Sequence, residues 1–355
     1  MKNDNNRIVY IDFIKVFLTC LVVAHHSGQA YGNTGGVWLV SHTPKVGYLK
    51  PFFFFNAAYM MGFYFFIAGF FTYYSLNNKP IRSYLMDRFR RLGIPLLFFA
   101  LLIFGPLHYM LSNSESNYFY FLWDLHFNHP PLSLGHLWFV ASLLAFSLLY
   151  LLIVKWVKME NRFSEAFKWW YALLYLLFLI PITIWVRNYY PIDHWVTWII
   201  PIEVAHLPQY LSLFLLGALF NKTKWLHAIQ PAVAFSYMFV GLLSFFFKDA
   251  IYQALPKLWS EAIIESFLCV GLCLGFISIF KIASFKMNMF FKFLSDNAYG
   301  IYLFRLLIVI GLQMMLLDIE LDTNLKFVMV TISGILISAA LSFILRKNKL
   351  IRKII

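Results

Sequence analysis

Apolar runs of about twenty residues alternate with short polar stretches along almost the whole chain. The run from residue 8 to 31, IVYIDFIKVFLTCLVVAHHSGQAY, sets the pattern. Ten such runs are expected to be helices, over about 8–31, 51–76, 92–112, 136–154, 169–187, 205–221, 231–248, 260–280, 293–317 and 326–345. Each is near the roughly 20 residues that an α-helix needs to cross a hydrocarbon core. Of the 29 Lys and Arg residues, 21 fall in alternate polar stretches on the side of the N-terminus and 6 on the other side. Lys15 and Arg305 lie inside apolar runs. This bias predicts that both termini are cytoplasmic.

Composition narrows the class. The chain has 355 residues, is 61% hydrophobic and only 13% charged, against about 25% charged in soluble domains. The expected fold is therefore all-α: a polytopic membrane protein of about ten transmembrane helices, one integral-membrane domain over residues 1–355 with no appended soluble domain. The polar start MKNDNNR leads into apolar sequence with no small-residue cleavage site, so the first helix is expected to stay. A net charge of +13 is dispersed in short clusters, which fits membrane topology and gives no nucleic-acid surface. Cys20, Cys269 and Cys273 all lie in apolar runs and read as small core residues, without disulfide or metal-ligand spacing.

Ionisable groups inside lipid are costly and point to function. The first helix carries Asp12, Lys15, His25 and His26. Asp12 and Lys15 are three apart and share a face. Lys15 to His26 is eleven residues, about three turns and about 16 Å, returning within roughly 20° of the same direction. Asp12, Lys15 and His26 thus form one stripe, while His25 points about 100° away. An imidazole in the outer half of a bilayer can exchange a proton near neutral pH. The structural alternatives are an ion pair between Asp12 and Lys15 and a histidine that ties two helices together.

In RSYLMDRFRRLGIP, residues 82–95, Arg88, Arg90 and Arg91 stand on the inner side, with Arg88 and Arg91 on one face. Guanidinium groups there suit a phosphorylated donor, or serve only to set topology. Asn56, Trp138, Glu203 and Tyr302 are candidates for substrate binding. Arg305 lies mid-helix and needs a partner, for which Glu261 and Glu265 are both available. The loop 113–135 interleaves aromatics with Glu115, Asp124, His126 and His129, which suits sugar rings or an interfacial belt.

These elements resemble the membrane-bound acyltransferase-3 family, in particular its glucan biosynthesis protein C-like branch. The resemblance runs through YIDFIKVFLTCLVVAHH with its Lys15–x10–His26 spacing, NAAYMMGFYFFIAGFF, the RxxR element Arg88–Arg91, HLWFVASLLAFSLLY, YLSLFLLGALF and LSDNAYGIYLFR. Two positions depart from the family pattern: Ala68 stands where serine is frequent, and Arg305 where histidine is frequent. The resemblance implies O-acylation of a glycan or glycoside hydroxyl at the outer face of a bacterial inner membrane. The donor would be cytoplasmic acyl-CoA, as acetyl-CoA or succinyl-CoA, with no permanently bound cofactor. His26, Lys15, Asp12 and His25 would serve catalysis, and Arg88, Arg91 and Arg90 would hold the donor. A second transfer step would need a separate extracytoplasmic protein. The competing classes are a proton-coupled transporter of a small or glycan-related solute and a non-catalytic scaffold.

Overall fold

The apolar runs become helices because a chain in lipid must satisfy its own backbone hydrogen bonds. The computed structural model describes residues 8–33, 38–112, 116–128, 134–156, 166–197, 201–283 and 285–355. Glu115, His129, residues 1–7, Lys158 and Arg162 lie outside the described residues.

The helices are α1 (Val9–Gln29), α2 (Leu49–Asn77), α3 (Ile81–Met110), α4 (Tyr118–Phe127), α5 (Trp138–Trp156), α6 (Trp169–Tyr189), α7 (Leu207–Thr223), α8 (Pro231–Phe246), α9 (Lys248–Ala254), α10 (Lys257–Ala283), α11 (Met289–Met315) and α12 (Thr323–Leu345). Among the described residues, nine helices are long and apolar enough to cross a membrane, or ten if the bent pair α8–α9 is one span. That pair turns by 68°, so the expected straight helix 231–248 ends early. A short antiparallel hairpin, β1 (Trp195–Thr197) with β2 (Pro201–Glu203), precedes α7. Side-chain caps start several helices. Asn288 accepts from the Phe291 amide at 2.8 Å, and Asp322 accepts from the Asn324 and Leu325 amides.

The third helix begins at Ile81, eleven residues before the expected start at 92. The arginine segment is therefore part of the helix. Two π-helical segments interrupt it, Phe89–Gly93 and Ala100–Phe104. The first contains Arg90 and Arg91. π-bulges of this kind are concentrated at functional sites.

α2 and α7 cross at van der Waals contact of their backbones. A Cβ on Gly69 would sit 1.8 Å from the Phe214 carbonyl oxygen, and one on Gly217 would sit 1.9 Å from that of Phe66. Only glycine at both positions permits this approach, the usual means of packing helices where lipid supplies no hydrophobic drive. The same crossing fixes the rotation of α2 and therefore where Tyr64 points.

Candidate functional site

The site is built around α1. Its Asp12 and Lys15 pair at 3.2 Å, as their spacing predicts. The Lys15 ammonium also lies 4.1 Å from the centroid of the Phe71 ring. One turn further, Thr19 Oγ1 donates to the Lys15 carbonyl at 2.7 Å and meets the Tyr64 hydroxyl at 2.8 Å.

Near the C-terminal end of α1, His26 Nδ1 lies 2.9 Å from the Val22 carbonyl. A carbonyl only accepts, so Nδ1 carries the hydrogen. In the neutral ring Nε2 is then the basic nitrogen. The free carbonyls at the end of this helix find a side chain: Gln313 Nε2 donates to Ser27 O at 3.0 Å and to His26 O at 3.4 Å. Gln313 also accepts the Trp38 indole N–H at 2.8 Å, and the Trp38 ring lies 5.6 Å from that of His26. His25 packs its ring on Phe53 at 5.0 Å, so it leaves the stripe as expected.

A third histidine joins them. His136 is buried at the foot of α5, with Nε2 donating to the Leu303 carbonyl at 3.2 Å. The Tyr302 hydroxyl donates to the His136 carbonyl at 2.5 Å. Arg305, 2% exposed, stacks its guanidinium 4.1 Å over the Tyr302 ring and donates to the Tyr302 carbonyl. It interacts electrostatically with His25, His26, His136 and Tyr64. Neither glutamate expected beside it is there. Glu265 pairs with Arg187 at 2.6 Å, and Glu261 lies 3.8 Å from Lys257. Among the described residues no carboxylate pairs with Arg305, and its buried Nε has no hydrogen-bond partner.

A cavity of about 410 Å³ leads to this group from the end of the bundle where α1 begins. Arg88, Arg91, Arg346 and Arg352 line it, then Lys15, Thr19 and Tyr64, with Tyr302 against the histidine cluster. Arg91 is placed by its backbone. Pro95 lacks the N–H that would reach the Arg91 carbonyl in a regular helix, and the Tyr299 hydroxyl donates to that carbonyl instead. The Arg88 guanidinium lies 5.0 Å from the centroid of the Tyr84 ring, and the Tyr84 hydroxyl is anchored on the Ser147 carbonyl at 3.1 Å. Partial burial holds Arg346 below its ordinary pKa; Asp296 opposes this, while the like charges of Arg352 and Arg91 add to it.

Arg88 and Arg91 thus share one cavity with Lys15 and Tyr302, whereas Arg90 is exposed and stands off it. His26 does not line this cavity, whose wall ends at Tyr302; it interacts electrostatically with Arg305. Asn56 is buried on α2 with Nδ2 unpartnered among the described residues. Trp138 and Glu203 belong to a second group. Trp138 stacks on Tyr210 at 5.7 Å and meets Trp195 edge-on at 5.7 Å. Glu203 accepts from the Asp193 amide at 2.9 Å and lies 3.7 Å from His206 Nε2. Phe139, which packs on both Trp138 and Tyr302, stands between that group and the cavity.

A family described as "Acyltransferase domain" matches residues 8–346. The chain belongs to this acyltransferase family. Among curated proteins, it is 27% identical to "Glucans biosynthesis protein C" of Escherichia coli strain K12 over 179 residues, 49% of this chain and 46% of the relative. The protein of the same name from Shigella dysenteriae serotype 1 gives the same figures. The chain thus matches less than half the length of these relatives. No solved structure matches. It is a multi-pass membrane protein of this acyltransferase family.

Sequence reasoning passed over Thr19, Tyr64, His136, Gln313, Trp38, Arg346 and Arg352. His136 carried a signal, a histidine at the start of the apolar run HLWFVASLLAF. Thr19 and Tyr64 carried none, since hydroxyls in apolar helices are common packing residues.

Proposed function

We propose that this acyltransferase moves an acyl group from a coenzyme A thioester to a carbohydrate hydroxyl on the opposite side of a bacterial inner membrane. The observation that carries this reading is one cavity with arginines at its mouth and Thr19, Tyr64 and Tyr302 at its inner end, against the histidine–Arg305 cluster. The distribution of Lys and Arg supports a cytoplasmic arginine end. Names of the relatives matched here include the word glucans, which favours a glycan or glycoside acceptor. Donors with acetyl or succinyl groups both suit the site.

In this reading Arg88 and Arg91 bind the donor phosphates through forked hydrogen bonds. The pantetheine arm runs past Lys15, Thr19 and Tyr64. The acceptor hydroxyl approaches from the Trp38 side and gives its proton to His26 Nε2, and its oxygen attacks the thioester carbonyl. The carbon–sulfur bond then breaks, and the thiolate takes the proton back from His26. Arg305, a permanent charge in a low-dielectric setting, stabilises the oxyanion of the tetrahedral intermediate. Lys15 and Asp12 hold the entry segment of α1.

His26→Ala tests this in purified protein given radiolabelled acetyl-CoA or succinyl-CoA and an oligosaccharide acceptor. General-base loss lowers transfer by about 10²–10⁴-fold while the protein keeps its thermal transition in detergent. Transfer at the normal rate by that variant would remove His26 from the mechanism. Comparing the masses of surface glycans from cells with and without the protein identifies donor and acceptor together.

A further inference from the structure

The donor cavity is not completed by the arginine element of α3. Beyond α12 the chain folds back beneath the bundle. The Asn348 side chain accepts from the Leu350 amide at 2.8 Å and the Ile351 amide at 3.4 Å, turning the segment into a 3₁₀ turn at Ile351–Lys353. Arg346, Arg352, Ile354 and Ile355 of this segment line the same cavity as Arg88 and Arg91. The family match ends at residue 346, so Arg352 lies beyond it.

Charge is out of balance there. Among the described residues, four arginine side chains line the cavity against one carboxylate side chain, that of Asp296, while Lys15, which also lines it, pairs with Asp12. Arg346 is held by the Asp296 carbonyl and by Asn297 Oδ1 at 3.2 Å, yet its buried Nε has no partner among the described residues. Like charges gathered at one mouth repel, and a polyanion relieves that repulsion. The arginines come from two places, α3 on one side and the C-terminal segment on the other. That arrangement suits a ligand with more than one phosphate group.

We infer that the segment 346–355 is part of the donor site, with Arg346 and Arg352 binding phosphate groups of coenzyme A together with Arg88 and Arg91. This rests on the acyl-CoA reading given above. The segment acts as a strap: its apolar end closes the cavity wall while its arginines hold the nucleotide end of the donor.

The test is coenzyme A binding by calorimetry to the purified full-length protein in detergent. Arg352→Gln is the clean variant, because the Arg352 side chain is exposed and makes no hydrogen bond among the described residues. Arg346→Gln is paired with Arg346→Lys, which keeps the charge. Lys349→Gln and Lys353→Gln remove the same charge from the same segment without touching the cavity. Loss of one charge-assisted phosphate contact weakens binding about 10-fold for Arg352→Gln and about 100-fold for the double arginine variant. The lysine variants stay within about 3-fold, as surface charges do. Equal weakening by the lysine variants, or unchanged affinity in both arginine variants, overturns the assignment while leaving the acyl-CoA reading intact. Absence of coenzyme A binding by the unaltered protein overturns that reading, and this one with it.

Discussion

The Trp38 indole lies with its centroid 5.6 Å from the His26 imidazole, at an interplanar angle of 54°. These residues come from α1 and from the loop that follows it, and Gln313 of α11 holds both. Its amide accepts from the indole and donates to the carbonyls behind His26.

Replacing Gln313 with Leu removes all three contacts and leaves the Ser27 carbonyl and Trp38 N–H without this partner. The expected cost is about 1–3 kcal/mol of stability. Acyl transfer is expected to fall roughly 10-fold, since a misplacement of a fraction of an ångström is felt at a reacting centre. Donor affinity should not change, because the arginine cavity lies at the other end. Calorimetric binding and single-turnover transfer, run side by side, separate the two effects. A parallel loss of donor affinity would contradict the positioning role.

Arg305→Gln removes a buried charge that no carboxylate among the described residues pairs with. Loss of oxyanion stabilisation predicts a drop of about 10²–10³-fold in turnover. Arg305→Lys, which keeps the charge but loses the planar fork, should fall between. Donor binding is the control. If Arg305→Gln turns over normally, the charge has no part in the transition state.

The loop after α1 carries a pH response. His42 is buried with Nε2–H donating to the Gln313 carbonyl at 3.1 Å, its Nδ1 lies 3.5 Å from the Lys326 ammonium, and the Tyr31 ring packs on it at 4.8 Å. Burial holds His42 below its ordinary 6.5; the Gln313 carbonyl opposes this, and Lys326 and Lys45 add to it. The folded loop keeps the ring neutral while the unfolded chain protonates below that value. Stability from this contact is therefore full above 6.5 and is lost as pH falls toward the lowered folded value. Limited proteolysis should show the loop becoming susceptible on acidification, and His42→Gln should flatten the response. A cleavage rate in the unaltered protein that does not change with acidification would contradict this account.

Arg187 and Glu265 form a buried ion pair between α6 and α10. Arg187 donates to Glu265 at 2.6 Å and lies 3.1 Å from His206 Nδ1, with its side chain 2% exposed. Arg187→Met or Glu265→Gln alone leaves a buried group without its counter-charge. Either should cost about 3–5 kcal/mol, and the double variant should recover much of that. Thermal unfolding in one detergent measures all three. Additive losses in the double variant would show that the two residues do not act as a pair.

Much of the lower half of the site was legible. Asp12 with Lys15 and Arg88 with Arg91 follow from helical spacing, which is local geometry. Arg305 was correctly singled out as a buried charge, but its partner was not. The sequence offers Glu261 and Glu265 alike, yet Glu265 faces α6 and pairs with Arg187, and Glu261 lies near Lys257. Arg90 neighbours Arg91 in the same π-helical segment, yet Arg91 lines the cavity and Arg90 does not. The start of α3 was placed too late because its first turns are polar, although a helix runs past the apolar stretch that marks it.

The sequence by itself determined the order and approximate positions of the membrane-length helices and the polar positions along each. Lipid forces unbroken apolar runs, so element type is written locally. Which residues meet was decided by the tertiary structure. In a membrane helix the lipid-facing and inward faces are both apolar, so periodicity does not reveal rotation about the axis. Close backbone crossings such as Gly69 on Phe214 and Gly217 on Phe66 set that rotation. They bring Tyr64 to Thr19, while the packing of α11 and α12 brings Gln313 to His26 and Arg346 to the cavity of Arg88 and Arg91.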